Sequence, residues 1–381
     1  MNKGSYRIPL FYIVTSLYWF SMYSYVPILS PYAKSLGASY KMIGLIVGSY
    51  GFTQMLLRIP LGILSDKMRN RKFFIIMGIV ASFISAVGMW LFKAPFWLLV
   101  FRSLAGCAAS AWVAYTVLFS SYFAPQDAPK AVGIINSFTT IGQMSATLIG
   151  GYAAQQLGQA STFAIAAFGG LIGLLLSLFI VENKNLDRQP LTLSQLLSVS
   201  KDWNLLLVSG LAILIQFITF ATTYGFTPVA AKNIGASDAQ LGLLATISAI
   251  PAVFISAASG SFFAKRYGEK KMVVVGFIII AATCAVIPLI RNIYLLYISQ
   301  AIGGIGRGLV YPLLMALSIK SVEDSKRATA MGFFQAIYAI GMFLGPSFTG
   351  IISDMLGLAW GFLLTAVLGV MGALIANRFI R

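Results

Sequence analysis

Residues Gly62 to Lys72 read Gly-Ile-Leu-Ser-Asp-Lys-Met-Arg-Asn-Arg-Lys and join two long apolar segments through a basic hairpin. The pattern returns 198 positions later, where Gly260 to Lys270 read Gly-Ser-Phe-Phe-Ala-Lys-Arg-Tyr-Gly-Glu-Lys. Gly37-Ala38-Ser39 recurs at the same offset as Gly235-Ala236-Ser237, and Gly44 recurs as Gly242, so the repeat spans the hairpin and the helix before it without a gap. Further on, Gly133, Gly142, Gly151 and Gly158 recur at offset 199 as Gly332, Gly341, Gly350 and Gly357. The chain is therefore a tandem duplication. Internal repeats about a pseudo-symmetry axis are a mark of membrane transporters.

Outward from the hairpin the chain is 59% hydrophobic and only 10% charged, too little polar surface to cover a water-soluble globule of 381 residues. A helix crosses the hydrocarbon with about 20 apolar residues. Twelve such spans are predicted, near 8–30, 41–63, 73–92, 95–119, 130–153, 160–181, 204–230, 239–262, 272–290, 293–319, 328–353 and 358–378. These long runs lack the strict polar alternation of an outer-membrane barrel. The expected architecture is all-α, two pseudo-symmetric six-helix bundles at 1–181 and 204–381, joined by a linker at 182–203. In that linker Pro190 and the spaced leucines after it predict a short amphipathic surface helix.

Charge position sets the orientation. Of the 27 Lys and Arg, nineteen fall on the even-numbered connections and the two ends, and five (Lys34, Lys41, Lys93, Lys232 and Arg291) fall on the other side. The excess predicts that both termini are cytoplasmic. A net charge of +17 spread over short loops offers no groove for nucleic acid. Cys107 and Cys284 lie inside predicted spans, which argues against a disulfide framework or a thiolate metal site. The first span is full length and reads as a retained anchor.

Six spans, a linker, six spans and the Gly62, Asp66, Lys67, Arg71, Lys72 hairpin resemble the major facilitator superfamily over nearly the whole chain. Asn70 stands where that family usually has glycine, compatible with a left-handed turn residue. In the second copy Ala264 replaces the acid, so only the first copy carries its role. Arg102-Ser-Leu-Ala-Gly106 resembles the Arg-x-x-x-Gly motif of the fourth span. The resemblance implies a latch built on Gly62, Asp66, Lys67 and Arg71, with Arg102 in packing or coupling. Asp66 would meet the N-terminus of span eleven, whose free N–H groups carry about half a positive charge. The Gly-Pro motif of antiporters is missing from span five, where Thr147 stands opposite Pro346, and so is the first-span acid of many drug exporters.

All ten acidic residues lie in loops or at span ends, and the chain has no histidine. Proton relays and organic-cation sites generally use buried Asp, Glu or His. Three arginines do fall within spans. Arg58 lies near an inner end and is read as snorkelling to the interface; Arg307 lies mid-span, where a charge costs about 2.5–3.5 kcal/mol unless it meets water, a partner or a ligand. Gln300, Gly304, Arg307 and Tyr311 share one helix face, and polar stripes recur in Tyr12, Ser16, Trp19 and Tyr23, in Asn136, Thr140, Gln143 and Thr147, in Gln216, Thr219 and Thr223, and in Gln335 and Tyr338. Together they predict an aqueous cavity between the bundles, since lipid gives polar atoms no partner. Tyr25 and Tyr32 are read as an interfacial belt.

The functional expectation is a monomeric secondary transporter of the cytoplasmic membrane, without cofactor or metal. It would move a small anionic, zwitterionic or amphipathic solute by alternating access, with outward transport expected, and with Arg307 as anchor and Gln300, Tyr311, Trp19, Tyr23, Asn136, Gln143, Gln216, Gln335 and Tyr338 around it. A coupling proton or counter-ion stays open. Proton-coupled multidrug antiport, lipid translocation and a non-transporting receptor are the alternatives. No nucleophile and base pair, metal cluster or phosphate loop supports an enzyme.

Overall fold

The computed structural model describes residues 6–124, 127–182, 201–320, 322–323 and 326–380. Twelve spans appear in chain order: α1 (Arg7–Tyr23, continued by Val26–Ser35), α2 (Tyr40–Met68), α3 (Arg71–Leu91), α4 (Pro95–Ser110, continued by Trp112–Ser120), α5 (Ala128–Leu157) and α6 (Ser161–Ser177) in the first half. The second half holds α7 (Trp203–Ala221, continued to Asn233), α8 (Asp238–Ala258, continued to Tyr267), α9 (Glu269–Val286), α10 (Ile293–Lys320), α11 (Arg327–Leu356) and α12 (Leu358–Phe379). The amphipathic helix expected after Pro190 lies outside the described residues.

Local chemistry explains the boundaries. Ser39 and Ser237, equivalent in the repeat, cap α2 and α8 by accepting from the Met42 and Gln240 N–H groups at 3.2 and 3.3 Å. Gln240 returns the bond to the Ser237 N–H at 2.8 Å, completing a capping box. α1 and α7 are each interrupted before a proline, Pro27 and Pro228, and the break in α7 is a π-helical turn at Thr222–Phe226. Large apolar side chains such as Phe254, Phe168 and Leu374 are exposed around the outside, as a lipid-facing surface requires.

The hairpin at Gly62–Lys72 is shorter than its sequence suggests. α2 continues through Met68, so Gly62 to Met68 is helical and only Arg69 and Asn70 turn the chain. Arg69, with φ at 49°, takes the left-handed conformation expected of Asn70. Asn70 has φ at −135° and instead caps α3, its side chain accepting from the Phe73 N–H at 3.2 Å. The second copy turns at Gly268, with φ at 88°.

Among the described residues the two halves meet closely on one face. We call the face bearing the hairpin and most of the Lys and Arg the basic face. On the opposite face α2 lies against α11 and α5 against α8, backbone on backbone. A methyl group at Gly44 would run into the Pro346 carbonyl, and one at Gly151 would stand 2.8 Å from the Gly242 Cα. Toward the basic face the same helix faces part: Gly133 and Gly332 have open space where a side chain would point. Along α5, Thr147 is buried, Gln143 and Thr140 are half-buried, and Asn136 is exposed. The cleft between the halves thus widens toward the basic face.

Because Gly151 and Gly242 admit no side chain, Gly242→Val is expected to loosen the closed face. In protein lacking Cys107 and Cys284 and carrying Thr246→Cys, maleimide should label position 246 severalfold faster from the opposite face when Gly242 is replaced; unchanged labelling would show that this contact does not seal it.

Candidate functional site

Arg307 sits midway along α10 in a run of glycines. Gly304 and Gly308 let α8 approach, and Gly306 lets α9 approach. The Arg307 side chain is half-buried and donates through Nη2 to the Ser248 hydroxyl of α8. Its Nη1 lies 3.2 Å from where a Cβ on Gly303 would stand, beside the Thr283 hydroxyl, so Gly303 is the space the guanidinium occupies. No carboxylate forms an ion pair with it among the described residues; the ion pairs found there join Asp66, Asp238, Glu269 and Glu323 to other bases. Arg307 therefore meets α8 and the turn of α10 beside α9, within its own half, and no acid among the described residues.

Arg58 departs from its expected position. Rather than snorkelling to the interface it is only 6% exposed, and its Nη1 donates to the Gln54 side-chain oxygen at 3.3 Å and across the halves to the Tyr338 hydroxyl at 3.2 Å. The reason is the zipper between α2 and α11: with Gly44, Gly48 and Gly51 drawn against α11, the next turns of α2 are carried inward with it. Tyr338 in turn meets Tyr311 edge-on at 5.9 Å and Phe334 at 5.7 Å. Gln335, one turn closer to the basic face, is half-buried. The Arg58 signal in the sequence was the Gln54 and Arg58 spacing of four, a polar pair on one face of a membrane helix.

Arg102 is also buried, but within the first half. It donates to the Tyr25 hydroxyl at 3.0 Å and lies 4.5 Å over the Tyr50 ring, a cation–π contact. This fixes α4 to α1 and α2, the packing role among those expected of Arg102; none of these partners belongs to the Gly62–Lys72 hairpin. Tyr25 and Tyr32 likewise do not form an interfacial belt, because both are buried against Phe163.

The remaining candidates divide. Tyr23 reaches across the halves to Tyr224, ring centroids 6.0 Å apart, and touches Trp19 at 5.7 Å. Trp19 packs edge-on against Trp112, and its buried Nε1–H has no hydrogen-bond partner among the described residues. Asn136 is exposed, and Gln143 and Gln216 are half-buried. Gln300, two turns from Arg307, is only 3% exposed. Sequence reasoning missed Ser248 and Tyr224; the first was hidden by its commonness in small-residue helices, the second by the π-helical turn that shifts its face.

Both faces of the molecule carry interactions across or beside the cleft. On the closed face the Asp354 carboxylate, at the end of α11, accepts from the Tyr40 and Lys41 N–H groups at 2.7 and 2.9 Å, capping the start of α2. Gln155, its repeat equivalent at offset 199, accepts from the Asp238 N–H at 3.1 Å at the start of α8. Lys232 and Gln159 hold the Asp238 carboxylate at 2.7 and 2.9 Å. On the basic face Asp66 pairs with the buried Arg71 at 2.7 Å, within its own hairpin, while Lys67 is exposed. Gly62 has only Val113 of its own half within reach of a side chain. Among the described residues the partner found for Asp66 is Arg71, not the start of α11.

Comparison with known proteins places these features in a family. The model of the Major Facilitator Superfamily matches residues 11–230 and 209–381. An MFS-type transporter of Methanocaldococcus jannaschii is 26% identical over 387 residues, covering 99% of this chain and 98% of that one. The inner membrane transport protein YajR of Escherichia coli is 25% identical over 375 residues, covering 96% and 81%. Among solved structures, a bacterial homologue of the human lysosomal transporter Spinster, in an inward-facing and unoccupied conformation, superposes with a TM-score of 0.82 at 18% identity, covering 99% of this chain and 97% of that one.

Asp354 satisfies two N–H groups at a helix start, a role in which loss of the side chain costs about 0.5–2 kcal/mol. Asp354→Ala is expected to shift the balance toward opening of that face by about 2- to 30-fold, read as a change in spin-label distance populations between the ends of α2 and α11. Unchanged populations would rule the cap out as a gate element.

Proposed function

Since the chain belongs to the Major Facilitator Superfamily, and is thus a membrane-spanning secondary transporter and not an enzyme, we propose that its solute is a small organic anion or zwitterion with an apolar body, bound in the cleft beside Arg307. The observation that carries this reading is the half-buried guanidinium with a serine hydroxyl as its hydrogen-bond partner and no carboxylate paired to it among the described residues. An unmatched cation in a membrane protein costs free energy that an anionic ligand returns as charge-assisted hydrogen bonds. Tyr23, Tyr224, Trp19, Tyr311 and Tyr338 supply ring surface and hydroxyls, which suits an amphipathic solute.

The basic face is the cytoplasmic one by the distribution of Lys and Arg. Its open cleft then exchanges solute with the cytoplasm, and movement of 1–181 against 204–381 exposes the same site to the other side; we read the net direction as outward. In that movement Asp66 would exchange Arg71 for the free N–H groups at the start of α11, latching the basic face while the other opens. We place the protein in the cytoplasmic membrane as a monomer, with proton or counter-ion coupling set by the solute or by loop carboxylates, because the spans contain no mid-depth acid and the chain no histidine.

In proteoliposomes, flux of an aromatic carboxylate is expected to exceed that of its neutral amide. Arg307→Gln should lower the carboxylate flux at least about tenfold, the loss expected for a hydrogen bond to a charged group. Equal flux of carboxylate and amide, or an unchanged rate in Arg307→Gln, would defeat the anion reading. Running the assay with and without a pH gradient separates proton-coupled antiport from the other modes. Asp66→Asn should slow turnover without changing solute affinity.

A further inference from the structure

A cationic side chain that reaches across to the other half of the molecule is Arg58, and its surroundings are those of an incompletely occupied site. The side chain is 94% removed from solvent by its 6% exposure, yet its charge meets only the neutral Gln54 and Tyr338 oxygens, at 3.3 and 3.2 Å. Its Nε–H is buried and has no hydrogen-bond partner among the described residues. A guanidinium holds five N–H donors in a planar fork suited to a carboxylate. Two longish bonds to neutral oxygens leave most of that capacity unused.

Its place in the cleft adds a second argument. Gly44, Gly48 and Gly51 of α2 are pressed on α11 at Pro346, Phe343 and Met342, and the Arg58 to Tyr338 bond follows one turn of α11 further toward the basic face. Beyond it Gly332 of α11 has open space, and Gly62 of α2 meets only its own half. The bond is therefore the last tie of the closed zipper and the apex of the open cleft. Tyr338 stands 6.0 Å from the Arg58 guanidinium by its ring centroid and presents that ring beside Tyr311 and Phe334.

We propose that Arg58 is a second anion subsite, at which the carboxylate of an aromatic or otherwise apolar solute displaces the Tyr338 hydroxyl. The inference rests on the reading of the cleft as the solute path and adds a residue to it. Two consequences follow from the geometry. The solute's apolar body lies against the Tyr338, Tyr311 and Phe334 rings. Loading also breaks the innermost side-chain tie between α2 and α11, so occupancy weakens the closed face and promotes the step that exposes the solute to the other side.

The test uses the full chain in nanodiscs, with 1-naphthoate as probe and 1-naphthamide as its neutral isostere, and reads ligand-dependent thermal stabilisation. Naphthoate should stabilise the protein at lower concentration than naphthamide. Arg58→Gln should raise the naphthoate midpoint at least tenfold and leave naphthamide unchanged, and Arg58→Lys should lie between. Tyr338→Phe should lower the naphthoate midpoint, because the competing hydroxyl is gone; a residue that merely held the helices together would not give tighter binding. The proposal is overturned if naphthoate fails to stabilise the protein, if Arg58→Gln binds naphthoate like the parent, or if Arg58→Gln loses both probes in parallel. Arg307→Gln, measured alongside, keeps the two readings apart: loss of naphthoate binding there with none in Arg58→Gln sinks this inference alone, and the reverse sinks the Arg307 anchor alone.

Discussion

Three guanidinium groups within a membrane-spanning bundle that has no mid-depth carboxylate set the terms for everything else in this protein. Hydrocarbon offers no hydrogen-bond partner, so each of the three must be answered from within. Arg102 is answered by tyrosine, through the Tyr25 hydroxyl and the Tyr50 ring face, and becomes part of the packing between α1, α2 and α4. Arg307 and Arg58 are answered only in part, by one serine and by a glutamine and a tyrosine. Arg102 also keeps a buried Nε–H without a partner among the described residues; what separates Arg58 from it is that Arg58 bonds across to the second half, whereas the partners of Arg102 lie in the first.

Glycine does the corresponding work for the backbone. Where Gly44, Gly151, Gly242 and Gly350 bring helices of opposite halves together, the closed face is built from main chain, and small shifts there are amplified because such contacts either fit or clash. The repeat supplies this closure twice, and Asp354 and Gln155 cap the partner helix starts in equivalent positions. The copies have diverged in charge. One cap is a carboxylate and the other an amide, and the hairpin acid Asp66 has become Ala264, so each face retains one acid-bearing and one neutral version of the same device.

That divergence gives the halves unequal roles. The first half contributes an acid on the basic face, and the second contributes one on the opposite face. A helix start with free N–H groups stabilises a nearby anion by about 0.3–1 kcal/mol at an exposed site. Interactions of this size are suited to a molecule that must leave each state as readily as it enters it.

What the sequence determined by itself was whatever depends on composition, period and repetition. Twelve spans and the duplication were legible because a bilayer enforces helix length and a repeated sequence shows itself at a fixed offset. The lone Arg307 was legible because a bilayer punishes stray polar atoms. Tertiary structure alone decided what depends on which helix lies opposite which. Arg58 read as a snorkelling end residue until α11 was found across from it, and Tyr25 read as an interface anchor until Arg102 and Phe163 enclosed it. The hairpin turn moved from Asn70 to Arg69 because α2 carried on one turn beyond its apolar stretch. A one-dimensional pattern tells which face of a helix must avoid lipid, whereas the partner that satisfies that face lies up to hundreds of residues away and is fixed only by packing.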